Sequence, residues 1–188
     1  EFRRVLFRSY KYEKLIDIKI TFPEEVEERN VVFEKELLHN QYQKKSEYEL
    51  DEKGKVSFFK KNRNNQVNIW ALIDITDMDR NDVLLLNDKF AEFWINEMSR
   101  EEKKNDIRFT FVIQVDEIND YLQEIFYESQ GIFMDKHRSR LPVLYVRKHD
   151  ILKVKWADND SKYISINKEM RKELKKIYDD SEIESIKS

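Results

Sequence analysis

The chain has 188 residues, 40% hydrophobic and 13% aromatic, enough apolar material for one core and a length that suits one domain or a domain with a small module. Charged residues make up 39%, mixed in sign, and the net charge of −3 argues against a general nucleic-acid binder, which needs a basic face. There is no cysteine and the only glycines are Gly54 and Gly131, so a disulfide framework, a thiolate metal site and a glycine-rich phosphate loop are excluded from this stretch. No apolar run approaches the roughly 20 residues that span a bilayer, and the expectation is a soluble, cytoplasmic chain.

The first nine residues, EFRRVLFRS, show no cap, turn or clear period. Val5, Leu6 and Phe7 fall short of the roughly 7–15-residue apolar region of a signal peptide. The stretch resembles the translation of a sequencing-library adapter, and residues 1–9 are set aside as artefactual. Without their three arginines and one glutamate (net +2) the net charge moves from −3 to −5. With no initiator methionine, the chain is expected to be a piece of a longer protein.

In LIDIKITF, Ile16, Ile18, Ile20 and Phe22 alternate with polar residues, the period of a half-buried strand. Thr21 and Glu24 have capping-box spacing with Pro23 in the first turn, which predicts a helix to about Leu38 that buries Val26, Phe33 and Leu37. SEYEL, KVSFF and VNIWALIDI then read as strands separated by the turns DEKG and NRNN. TDMDRND reads as a third turn and VLLL as a closing strand, so the run is an antiparallel β-meander. From Asn87, a plausible N-cap, Phe90, Ala91, Trp94, Ile95 and Met98 share one helical face. IRFTFVIQV is a strand buried on both faces. Ile118, Tyr121, Leu122, Ile125 and Phe126 give a full helical stripe, with Asp116 as its expected cap and Gly131 as its stop. LPVLYV and ILKVKW are further strands. SKYISIN and KEMRKELKKIY repeat the strand-to-helix step, with Asn167 as cap and Met170, Leu174 and Ile177 inward.

The fold class expected is mixed α/β: an antiparallel meander followed by a partial Rossmann-like β-α-β-α unit with a parallel sheet. The organisation is residues 10–86 as strand, helix and meander, 87–180 as the Rossmann-like part, and 181–188 as a tail.

Chemistry-bearing residues are few. Asp74, Asp77 and Asp79 suggest a Mg²⁺ site for phosphoryl transfer, against the simpler reading of a solvated turn. His39, His137 and His149 form no zinc-type pair. His149 follows the buried strand LPVLYV, and ligands of open α/β sheets bind at such strand ends. Asp116 and Glu117 follow FVIQV in the same way. Residues 136–155 hold seven Lys/Arg and one Asp, net +6 in an acidic chain, which suits either an anionic ligand or outward-facing lysines. Trp70, Trp94 and Trp156 fit the core.

The succession of a DEKG-type meander, a helix ending FWINEM, strands ending FVIQVDE and LYVRKHD, and then ISINKEMRKELKKIY resembles bacterial glycosyltransferases of the two-Rossmann-domain type. The likeness is to those that glucosylate poly(glycerol-phosphate) wall teichoic acids or serine-rich adhesins, over about residues 46–183. It implies an acceptor-side fragment of a sugar-nucleotide-dependent enzyme that transfers a hexose to a polymeric or protein acceptor. His149 and Asp116 would be catalytic, and Glu117, Arg147 and Lys148 would bind substrate. The nucleotide-sugar donor site would lie outside this chain, which would carry no cofactor or metal and be inactive alone. A homo-oligomer through the meander is a further option. The alternatives are a non-catalytic interaction or accessory (immunity-like) protein, and a Mg-dependent nuclease built on Asp74.

Overall fold

Apolar alternation builds one sheet with helices on both faces. The computed structural model describes residues 13–19, 32–128, 138–157, 169–170, 172–174 and 184–186. Their elements are β1 (Glu13–Lys19), α1 (Val32–His39), β2 (Gln43–Leu50), β3 (Gly54–Arg63), β4 (Gln66–Ile75), α2 (Arg80–Glu97), β5 (Asp106–Val115), α3 (Asp120–Glu128), β6 (Arg138–Val146), β7 (Ile151–Ala157) and β8 (Glu184–Ile186). The eight strands form one sheet in the order β2-β3-β4-β5-β6-β7-β1-β8.

Strands β2, β3 and β4 form the expected antiparallel meander. β4, β5 and β6 are parallel. β7 returns antiparallel to β6, β1 pairs antiparallel with β7, and β8 pairs antiparallel with β1. The mixed α/β expectation therefore holds, with the parallel part confined to the centre. The stretch 181–188, expected as a tail, contributes β8. The expected strand in SKYISIN, the Asn167 cap, the Gly131 stop, Val26 and Ile177 lie outside the described residues, whereas Trp156 falls in β7.

The two-residue period sorts the core. On β4, Trp70 and Leu72 face one side, while Ile69, Ala71, Ile73 and Ile75 face the other. The first side packs with Phe33 and Leu37 of α1 and with Met170 and Leu174. The second packs with Leu86 and Phe93 of α2 and Leu122 and Phe126 of α3. Both parallel crossovers thus place their helices on the same face, as one common hand of connection requires. Phe58 stacks on Phe93 with centroids 4.5 Å apart, a contact worth about 0.5–1.5 kcal/mol beyond its burial.

Two local expectations are corrected. VLLL is not a strand: Val83–Leu86 lie inside α2, which starts at Arg80 instead of after Asn87. The cause is a capping box at Asp79 and Asp82. Asp82 N–H donates to Asp79 Oδ1 at 3.0 Å, and Asp79 N–H donates to Asp82 Oδ2 at 2.8 Å. α2 therefore runs across the expected division at 86/87, and one sheet joins both parts. Asp116 likewise does not cap α3. Asn119 does, accepting from Leu122 N–H at 2.7 Å.

β2 stands at one edge of the sheet. Its sequence QKKSEYEL is rich in charge and its register shifts between Lys44 and Ser46. Charge and bulges are what protect an edge from pairing with a second chain, so β2 is poorly suited to joining copies strand to strand.

Candidate functional site at the strand ends

Because β4, β5 and β6 are parallel, their C-terminal ends lie side by side. Asp74 sits next to last in β4, Asp116 and Glu117 follow β5, and Arg147–His149 form a 3-10 turn after β6. The Lys148 N–H donates to the Asp116 carbonyl at 3.2 Å and joins the last two ends directly. The structure thus brings all five residues singled out for the site, Asp116, Glu117, Arg147, Lys148 and His149, to one edge. Asp74 joins them.

Arg147 organises this edge. Its Nε donates to Asp116 Oδ1 at 2.8 Å, Nη1 to Asp74 Oδ1 at 2.5 Å, and Nη2 to the Ile75 carbonyl at 3.2 Å. One planar guanidinium therefore ties β4 to the ends of β5 and β6. The Arg147 side chain is 17% exposed, Asp74 33% and Asp116 61%, so the Asp74 arm is the sheltered one. Burial alone would lower the Arg147 pKa, but the hydrogen bonds and charges of Asp74 and Asp116 more than offset it, and the net shift is upward. Beside it Lys148 pairs with Glu117. That contact lowers the Glu117 pKa and raises that of Lys148, both through the hydrogen bond first and the charge second.

His149 is exposed. Among the described residues no hydrogen bond or ion pair joins its imidazole to Asp116, whose carboxylate faces Arg147. Asp150 follows in the left-handed region (φ 49°) and accepts from the buried Tyr145 hydroxyl at 2.8 Å. That bond fixes the turn that presents Arg147.

The aspartates after β4 gather round a lysine. Lys53 Nζ lies 3.0 Å from Asp77, 3.2 Å from Asp79 and 3.0 Å from Asp82. The hydrogen bonds that Lys53 donates to these three carboxylates raise its pKa. Among the described residues no group of three or more His, Asp or Glu is placed to hold a metal ion. The basic run 136–155 is also divided: Arg147 and Lys148 meet the carboxylates at the edge, whereas Arg138 and Arg140 line a cavity on the helix-covered face.

Sequence reasoning missed a polar cluster on the opposite face. The Tyr42 hydroxyl donates to Glu173, whose other oxygen accepts from Asn68 at 3.1 Å; Arg108 pairs with Glu169. Burial first, then the charge of Glu173, pushes the Tyr42 phenol pKa far upward. Asn68 in the apolar run VNIWALIDI was the visible signal, since a buried amide needs partners. Its partner in sequence lies 105 positions away, which no local pattern reveals.

No protein-family model, curated protein or solved structure matches this chain. No helix among the described residues is long and apolar enough to cross a membrane.

Proposed function

We propose that this domain is a non-catalytic interaction module, working in the cytoplasm, whose strand-end edge holds the fold together. The observation that carries this reading is the placing of Arg147. The position where an α/β sheet offers reactive groups is occupied by a guanidinium whose nitrogens reach Asp74, Asp116 and the Ile75 carbonyl. A general base must reach its substrate, and Oδ1 of both Asp74 and Asp116 already accepts from Arg147. Here the carboxylates of Asp74, Asp116, Glu117, Asp77, Asp79 and Asp82 each face a cation.

A second reading, the acceptor-side part of a sugar-nucleotide-dependent glycosyltransferase, is favoured by one observation. Asp116 and His149 stand at the same edge of adjacent parallel strands. In that reading a polymeric or protein acceptor would meet this edge, and the donor would bind to parts of the enzyme outside this chain.

Thermal melting with poly(glycerol-phosphate) and with a serine-rich peptide, the acceptors that the second reading places at this edge, separates the two. The interaction reading expects unchanged melting temperatures for wild type, Asp116→Asn and His149→Ala with each acceptor. A saturable upward shift in wild type that both variants lose would overturn it in favour of the glycosyltransferase reading.

A further inference from the structure

The face of the sheet covered by α2 and α3 is not packed throughout. Leu86 and Phe93 of α2 are buried at 6% and 0% exposure, but Phe90 and Trp94 of the same helix are only partly buried, as are Phe111 and Ile113 beneath them. Protein interiors leave few voids larger than a water molecule. Between α2, α3 and the strands β4, β5 and β6 there is instead a pocket of about 510 Å³, partly open to solvent. That volume is in the range of small-molecule sites, roughly 300–1,000 Å³.

The walls define what would fit. One wall is aromatic. Phe109 and Phe111 stack at 5.5 Å with planes 9° apart, and Phe90 meets Phe111 edge-on at 5.0 Å. Rings held against one another in this way keep their positions when a ligand enters. The charge comes from β6, whose residues Arg138 and Arg140 both line the cavity. Two residues apart on one strand, they project to the same face. In the sheet register Arg138 lies beside Ile107 and Arg140 beside Phe109. The Arg138 guanidinium lies 4.9 Å from the centre of the Trp94 ring, a cation–π contact that ties it to α2. A guanidinium has five N–H donors, so it can keep an internal partner and still offer a fork to a ligand oxygen pair.

We infer that the cavity between α2, α3 and the sheet is a binding site for an amphiphilic carboxylate, with its apolar body against Phe90, Phe109 and Phe111 and its carboxylate at Arg138 and Arg140. The low-polarity walls strengthen the attraction between guanidinium and carboxylate and favour an anion over a neutral or cationic head of the same length. The site lies on the helix-covered face, not at the strand ends, and does not depend on the reading of that edge. Aliphatic and aryl carboxylates share this chemistry, and the test separates them.

The test is isothermal titration of the full chain with decanoate, 2-naphthylacetate and decyltrimethylammonium. Decanoate or naphthylacetate is expected to saturate one site, and the tighter of the two identifies the aliphatic or aryl source. Decyltrimethylammonium should bind at least tenfold more weakly. In Arg138→Gln/Arg140→Gln the carboxylate Kd should rise at least tenfold, and Ala91→Trp, which adds an indole to the cavity wall, should abolish binding. No saturable heat with either carboxylate in wild type overturns the inference. So does equal affinity for the cationic and anionic amphiphiles, a comparison that needs no variant to fold.

Discussion

Gly54 opens β3 where the backbone of β4 passes closest to it. A Cβ added there would lie 1.9 Å from the Asp74 carbonyl oxygen and 2.9 Å from both the Asp74 carbonyl carbon and Ile75 Cα. Real Cβ atoms essentially never come under 3.0 Å, and each of these neighbours is backbone, so no side chain can turn away to make room. In Gly54→Ala the two strands must part at the Gly54–Ile75 and Lys55–Asp74 pairs. That shift also carries the Asp74 carboxylate away from Arg147. Overpacking costs about 1–3 kcal/mol, and a weakened charge-assisted hydrogen bond adds roughly 1–2 kcal/mol, for a total of about 2–5 kcal/mol. In a domain of this size that corresponds to a melting temperature lower by roughly 4–20 °C. Without the clash the substitution would act the other way, because alanine restricts the unfolded chain by about 0.4–1 kcal/mol. Chemical denaturation in urea decides between them. A Gly54→Ala variant as stable as wild type, or more stable, would refute the close approach and with it the placing of Asp74.

Gln114 is buried at 2% exposure and its Oε1 has no hydrogen-bond partner among the described residues, so Gln114→Met should stabilise the domain by about 1 kcal/mol in urea unfolding; a loss would show the amide to be engaged. Burial alone would raise the Glu102 pKa, but the Lys60 ammonium, the Ser99 N–H and Asn62 hold it at about 2, below its ordinary 4.5. A depressed carboxyl pKa contributes stability above pH 4.5 that is lost as the pH falls toward 2, so Glu102→Gln should flatten that part of the stability-against-pH curve, and an unchanged slope would contradict the pairing. Tyr42 has the opposite sign. With its folded pKa raised, its contribution is present below pH 10.0 and declines as the pH rises further; Tyr42→Phe should remove that alkaline loss while costing about 1 kcal/mol at neutral pH, as two melts at pH 7 and pH 11 would show.

Most of the sheet was legible because its strands carry their period in the chain. VNIWALIDI, FTFVIQV and LPVLYV needed only apolar density and length, and the change to helical spacing marked the crossovers. The start of α2 was misread for a physical reason. VLLL has strand-like density, but an aspartate pair three residues apart accepts two backbone N–H groups and starts the helix earlier. Leu84 inside that run is 53% exposed, which a strand reading could not have anticipated. At the candidate site the residues were found but not their arrangement. The strand ends named Asp116 and His149; that Arg147 would reach Asp74 across 73 positions follows from the parallel order of β4, β5 and β6. The cavity was beyond sequence reading altogether. Phe90, Trp94 and Phe111 sit at core positions, and only their placing in space shows that they line a pocket.

The claim that the strand-end edge is a structural clasp is tested most directly by the coupling energy between Asp74 and Arg147. A double-mutant cycle of Asp74→Ala, Arg147→Ala and the pair, measured by urea unfolding, isolates it. With Asp74 33% exposed, the coupling should be about 1–2 kcal/mol, near the lower end of charge-assisted hydrogen bonds. Arg147→Ala alone should cost about 3 kcal/mol, because Asp116 and the Ile75 carbonyl also lose their donor. Coupling near zero, with Arg147→Ala within about 0.5 kcal/mol of wild type, would contradict the account and leave these charges to serve a ligand instead.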